Sequence, residues 1–206
     1  MADENVKLKA TEDSVLKAAE AEFAEKGFYG ARVDEIARLS GVNKRIIYKM
    51  FSNKEELYKV VLQKAYKKMA RAESGIFTEY DTCENAIRKV VKGYFEFLKN
   101  NPTYISLILW ENLNKGEYVK NLDFSEIKNQ VVDYIYKIIE DGKKSGEFRE
   151  DTHTEQIILS VMTFTFSYFS NRYTLSQLLQ NKIDFEKDFA KRIDNVTEMI
   201  LTYIKR

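Results

Sequence analysis

Proline is almost missing from this chain: Pro102 is the only one in 206 residues, and glycine occurs only eight times. So few interruptions favour long helices over a sheet built from many tight turns. The lone Cys83 excludes an internal disulfide, and the lone His153 excludes a multi-histidine metal site, so neither a metal nor a cofactor is expected. Both residues read as structural or incidental, with His153 exposed beside a helix start. No run approaches the roughly 20 consecutive apolar residues of a bilayer span, and residues 1–14 are too charged for a signal peptide. A cytoplasmic protein without a membrane partner is the expectation. Gly-rich phosphate loops, a nucleophile elbow and clustered metal ligands are also missing, so an enzyme is not expected.

What is present is a composition 44% hydrophobic, 13% aromatic and 32% charged, which suits a soluble globular protein. The net charge of +1 hides an uneven distribution. Residues 41–72 carry nine Lys or Arg against Glu55 and Glu56, a local +7, whereas residues 73–206 carry 18 basic and 21 acidic residues. A polyanion would be drawn to the basic segment.

Helical periodicity organises the chain. Residues 1–10 show none and read as a flexible arm. Val15, Leu16, Ala19 and Phe23 then recur at helical spacing, with Gly27 placed as a C-cap. A short second helix runs from Val33 through Ile36, Ala37 and Leu39 and breaks at Ser40-Gly41. Asn43 is placed to cap a third helix in which Ile46, Ile47 and Phe51 point inward and Lys44, Arg45, Tyr48 and Lys49 stay outside. Either Ser52 with Glu55 or Asn53 with Glu56 gives the capping-box spacing of a fourth helix, which has Leu57, Val61 and Ala65 as its buried stripe and ends near Ala72. Glu73 to Asp81 reads as a domain junction. Beyond it, helices are expected over Ala86 to Phe97, from Pro102 to about Leu113, over about Ser125 to Lys144 with Val131, Tyr134, Ile135 and Ile138, from a Thr152-x-x-Glu155 capping box to about Leu179, and from Asp184 to about Ile204. The expected fold is therefore all-α with about nine helices. A three-helix helix-turn-helix domain with its connecting fourth helix occupies residues 11–72, and a larger C-terminal helical bundle occupies 73–206.

The run GFYGARVDEIARLSGVNKRIIYKMFSNKEELYKVV, residues 27–61, resembles the signature of TetR-type repressors. Ile36-Ala37, Gly41-Val42, Ile47-Tyr48, Phe51 and Lys54-Glu55 with Leu57 all stand at the family's spacing. Residues 101–112 and 168–179 also look like the C-terminal domain of some members. The resemblance implies a ligand-responsive transcriptional repressor, homodimeric through its last two long helices, at about 153–180 and 184–204. Its partners would be a double-stranded DNA operator and a small-molecule effector. Two departures stand out. The family usually opens its second helix with a hydroxyl residue where this chain has Ala31-Arg32, and many members have a small residue in place of Arg45.

A recognition helix presents its N-terminal residues to base edges, which places Lys44 and Arg45 near guanine O6 and N7, with Arg45 the better base reader. Tyr48 and Lys49, one turn on, suit phosphate or thymine-methyl contacts, although the Tyr48 ring could also pack inward with only its hydroxyl exposed. Lys54 at the fourth helix start and Arg32 at the second suit phosphate, and Asn43 completes the set. In the C-terminal part, Tyr94, Phe97, Trp110, Tyr134, Phe164 and Tyr168 are candidates for an apolar effector pocket, against the reading that they fill a core. Trp110 beside Glu111 could serve a cationic or polar aromatic ligand. The competing reading is packing by the indole and a surface Glu111.

Overall fold

The computed structural model describes residues 2–74, 79–122 and 130–206. Ten α-helices follow one another there: α1 (Ala2–Gly30), α2 (Val33–Ser40), α3 (Lys44–Phe51), α4 (Lys54–Ser74), α5 (Cys83–Asn100), α6 (Pro102–Leu113), α7 (Gln130–Ser145), α8 (Thr154–Ser170), α9 (Arg172–Leu178) and α10 (Phe189–Ile204). A 3₁₀ turn spans Val119–Asn121, and an isolated bridge pairs Phe148 with Lys205. The all-α expectation holds. None of the described helices is long and apolar enough to cross a membrane.

Contacts group the chain into two compact units, Met1–Lys67 with Pro102–Glu126, and Lys68–Asn101 with Ile127–Arg206. The contiguous block expected over 73–206 does not describe this packing, because α6 joins the N-terminal unit. Leu107 of α6 is fully buried in the same core as Phe23, Ile36, Ile47, Leu57 and Leu62. Each such side chain contributes about 1.5–3 kcal/mol by leaving water. At the centre, the Tyr58 ring meets Phe23 edge-on at 4.8 Å and Tyr118 edge-on at 5.1 Å, while Phe28 lies 4.5 Å from Tyr118. Such pairs add about 0.5–1.5 kcal/mol beyond burial.

In the second unit α5 is the hub and packs on α7, α8 and α10. Ile87, Val90, Val91 and Phe95 from α5 are fully buried, as are Ile138, Ile139, Val196 and Ile204 from its neighbours. Cys83 at the head of α5 is buried, and burial followed by the nearby Glu147 carboxylate pushes its thiol up to about 11. Arg88 joins two helices by pairing with Glu84 and Glu198, both at 2.7 Å.

Several helix ends depart from the expected ones for identifiable reasons. The first helix begins at Ala2 rather than near Thr11, since nothing between residues 2 and 26 is a glycine or proline that would stop it. It leaves helical geometry at Gly27, with a last turn reaching Gly30. Ile46 is 47% exposed, not inward; Ile47 and Phe51, one turn apart, take the buried face and leave Ile46 rotated out. Of the two capping boxes, Asn53 is the one used, its Oδ1 accepting from the Glu56 N–H at 2.9 Å. The Thr152 capping box does not form. His153 occupies the N-cap of α8 without a side-chain cap, and the Thr152 hydroxyl is buried with no hydrogen bond among the described residues. The long helix expected to reach Leu179 stops at Ser170. Asn171 there ties its side chain back to Ser167 and restarts the chain as α9. The last helix starts at Phe189, not Asp184, because Asp184 Oδ1 accepts from the N–H groups of Glu186 and Lys187 at 3.0 Å and holds a local turn. Residues 123–129, where the sequence places the start of the seventh helix, and the Val131 side chain lie outside the described residues.

The sequence passed over the α5 cap: Thr82 Oγ1 accepts from Asn85 N–H at 3.1 Å. Thr82→Ala is expected to cost about 1 kcal/mol. Thr152→Ala should lose no cap energy, so thermal unfolding of the two variants in parallel separates a used cap from an unused one.

Candidate nucleic-acid interface

The interface is built by a short, tightly punctuated stretch. α2 ends at Gly41, whose φ of 69° and ψ of 14° give the left-handed turn that a Cβ would strain. Two residues on, Asn43 caps α3 by accepting the Arg45 N–H at 2.9 Å. Ile47 and Phe51 anchor α3 from below, so its remaining face turns to solvent.

On that outer face Arg45, Tyr48 and Lys49 are exposed, and neither Arg45 nor Lys49 holds an ion pair among the described residues. Tyr48 is 38% exposed, which favours its surface reading over the core one. Lys44 differs from its neighbours. Its ammonium pairs with Asp34 of α2 at 2.8 Å and lies 5.9 Å from the Tyr48 ring centroid, and the Asp34 hydrogen bond raises its pKa. Lys54, the first residue of α4, rests its ammonium 4.8 Å over the Phe28 ring, and partial burial lowers its pKa. The Lys59 side chain is paired to Glu55 and Glu56, an ordinary charged helix face.

Arg32 stands at the N-cap of α2 and, as its chemistry requires, makes no side-chain cap there. Glu22 of α1, 2% exposed, accepts the Arg32 backbone N–H at 3.1 Å and pairs with Lys26 at 2.8 Å. Glu22 was not singled out from sequence, although it sits three residues after Ala19 on the buried stripe, where an acid without a partner would be costly. Asp34 and Glu35 in the first turn of α2 suit the positive end of the helix.

The six aromatic candidates for an effector pocket do not converge. Trp110 belongs to the first unit, where its indole N–H donates to the Ala24 carbonyl at 3.2 Å and its ring covers Gly27. Its neighbour Glu111 is not a surface residue; it is 2% exposed and bonded to Tyr58 and to two backbone N–H groups. In the second unit Tyr94 and Phe97 are buried on α5, and Tyr134 meets Tyr80 edge-on at 6.0 Å. Phe164 and Tyr168 come together, lining a half-open cleft of about 650 Å³.

Comparison with known proteins agrees with this geometry. A family model described as bacterial regulatory proteins, tetR family, matches residues 15–61, and one described as tetracyclin repressor-like, C-terminal domain, matches residues 84–200. The HTH-type transcriptional repressor NicS of Pseudomonas putida is 29% identical over 197 residues, 95% of this chain and 93% of that one. Among solved structures, a TetR transcriptional regulator from Chloroflexus aurantiacus is similar with a TM-score of 0.69 at 18% identity, covering 97% and 98% of the two chains. The transcriptional regulator FadR from Bacillus subtilis, solved in complex with stearoyl-CoA, gives 0.62 at 19% identity, with 92% and 97% covered. At those identities the structures attest the fold. With a helix-turn-helix at residues 33–51 and family models matched across both halves, the chain belongs to the TetR family and is a DNA-binding transcriptional regulator.

Proposed function

We propose that the protein is an effector-responsive repressor in which α3 enters the major groove and reads its operator chiefly through Arg45. The observation that carries this reading is the outer face of α3, where Arg45, Tyr48 and Lys49 project from a helix pinned by Asn43, Ile47 and Phe51. A guanidinium with no ion pair among the described residues, near the helix N-terminus, suits a bidentate contact with guanine. Lys44, already neutralised by Asp34, is assigned to positioning rather than reading, and Tyr48, Lys49, Lys54 and Arg32 to phosphate or thymine-methyl contacts. Repression is supported by the likeness to the Pseudomonas repressor, and a small-molecule effector by the stearoyl-CoA complex of FadR.

Action as a homodimer through α8 and α10 completes the proposal. Leu159 of α8 is 58% exposed, and Met199 and Tyr203 of α10 are each 49% exposed, apolar groups that a two-fold partner would cover. The effector would favour a geometry whose recognition helices no longer match half-sites roughly 34–36 Å apart.

Selection of bound DNA from a random pool, followed by gel shifts across salt, tests the DNA-contacting face. Arg45→Ala should lose about 10- to 100-fold in affinity and relax base preference at one position. Lys54→Ala should weaken all sequences alike and flatten the salt slope by about one. Wild-type binding by both variants at moderate salt would discard this assignment.

A further inference from the structure

Asp34 is an acid on a face that has to meet a polyanion. It stands in the first turn of α2, and its two carboxylate oxygens lie 2.8 and 2.9 Å from the ammonium of Lys44, the first residue of α3. Glu35, the other acid in that turn, is taken up within its own helix by Arg38 at 2.6 Å. The pair with Lys44 does not close Asp34 off: its side chain is 75% exposed, against 42% for Lys44.

A carboxylate beside a helix that enters DNA lowers affinity unless it has a counter-charge and a donor to meet. Lys44 supplies the counter-charge. An ionised carboxylate has about four lone-pair sites and no proton to give, so about two remain after the ammonium, and only a donor satisfies them. In the major groove guanine presents the acceptors N7 and O6, thymine the acceptor O4 and a methyl group, and adenine its N6 donor beside the N7 acceptor. Cytosine presents its N4 amino group alone. Two carboxylate oxygens side by side would set one against adenine N7 and meet no such acceptor on cytosine.

We infer that Asp34 is a second base reader: held at the N-terminal end of α3 by Lys44, its carboxylate accepts the N4 amino group of a cytosine in each operator half-site. Lys44 is then a positioning residue that acts through Asp34 and is drawn away from phosphate. The inference rests on the reading of α3 as the groove-entering helix, and it adds one base and the residue that selects it.

The test selects bound DNA from a random pool with the full-length protein, then titrates single-base variants of the selected site across salt. The wild type should prefer cytosine by about tenfold at one position of the half-site, distinct from the position that Arg45→Ala relaxes. Asp34→Ala should erase that preference and keep the others. By releasing Lys44 to phosphate it should also tighten binding to non-operator DNA and steepen the salt slope by about one. Asp34→Asn should admit adenine, whose N6 and N7 match the acceptor and donor of an amide. Lys44→Met should weaken every sequence by leaving the carboxylate toward phosphates, and adding Asp34→Ala to it should recover that loss. A role confined to holding α2 would instead lower the melting temperature of Asp34→Ala and weaken all sequences alike. That result overturns the inference, as does a wild-type site with no preferred cytosine, a cytosine preference that survives Asp34→Ala, or an Asp34→Asn variant that still rejects adenine. The two readings fail separately. An unchanged site in Arg45→Ala with one position altered in Asp34→Ala sinks the Arg45 assignment alone, the reverse sinks Asp34 alone, and no change in either removes α3 as the reading helix and both with it.

Discussion

Glu111→Ala is expected to lower stability by about 3 kcal/mol and the melting temperature by about 6–12 °C. The side chain is 2% exposed and serves three donors: Oε1 accepts from the Tyr58 hydroxyl at 2.9 Å, and Oε2 from the N–H groups of Tyr118 at 3.2 Å and Val119 at 2.9 Å. Two of those donors belong to buried residues, with Tyr58 fully buried and Tyr118 6% exposed. Truncation leaves all three without their acceptor, at about 1–3 kcal/mol for each one that water cannot reach. Burial, then the Glu111 charge, pushes the Tyr58 phenol well above its ordinary value, so it remains a donor through the neutral range. Tyr58→Phe should cost only about 1 kcal/mol, since it removes one donor and leaves the carboxylate two. Glu111→Gln should fall between, as its amide keeps an acceptor oxygen but turns a donor toward donors. Thermal unfolding followed by circular dichroism checks the series. An Ala variant melting within 2 °C of the wild type would show that the carboxylate does not hold this turn. The same carboxylate ties α6 and the 3₁₀ turn to α4, in the unit that carries α3, so operator affinity should fall with stability.

Glu111 also shows why part of the molecule was legible in sequence and part was not. α2, α3 and α4 could be read because their boundaries are set locally: Gly41 stops one helix, and Asn43 and Asn53 each cap the next within three residues. The basic outer face of α3 follows from the same spacing, since Ile47 and Phe51 fix which side is buried. Features decided by residues far apart stayed hidden. Asp34 pairs with Lys44 across ten positions, Glu22 accepts the Arg32 backbone N–H across another ten, and Trp110 covers the backbone of α1 across more than 80. Glu111 looked like a surface acid beside an indole because its three donors come from α4 and from the turn that follows its own helix. Thr152 misled for the opposite reason: its capping-box spacing is right, yet the backbone enters the helix one residue later.

Gly27 joins the two kinds of information, and its substitution carries the second large effect. Read from sequence it is a C-cap. In the structure its φ of 66° and ψ of 179° lie in a region that other residues enter at about 1–3 kcal/mol. A Cβ there would also stand 2.7 Å from Trp110 Cδ2 and 2.8 Å from Cε3. The indole cannot simply withdraw, because its N–H is held by the Ala24 carbonyl at 3.2 Å. Forcing it aside adds about 1–3 kcal/mol, so Gly27→Ala should cost about 3–4 kcal/mol in all and lower the melting temperature by about 10 °C. A double-mutant cycle separates the contributions. Trp110→Ala removes the clash but not the backbone strain, so the pair should be less destabilised than the sum of the single variants by about 1–2 kcal/mol. Strict additivity would mean that the indole does not meet the new methyl group, and the whole loss would then belong to the backbone. A coupling as large as the full cost of Gly27→Ala would mean the reverse: Trp110, and not the positive φ, is what requires a glycine there.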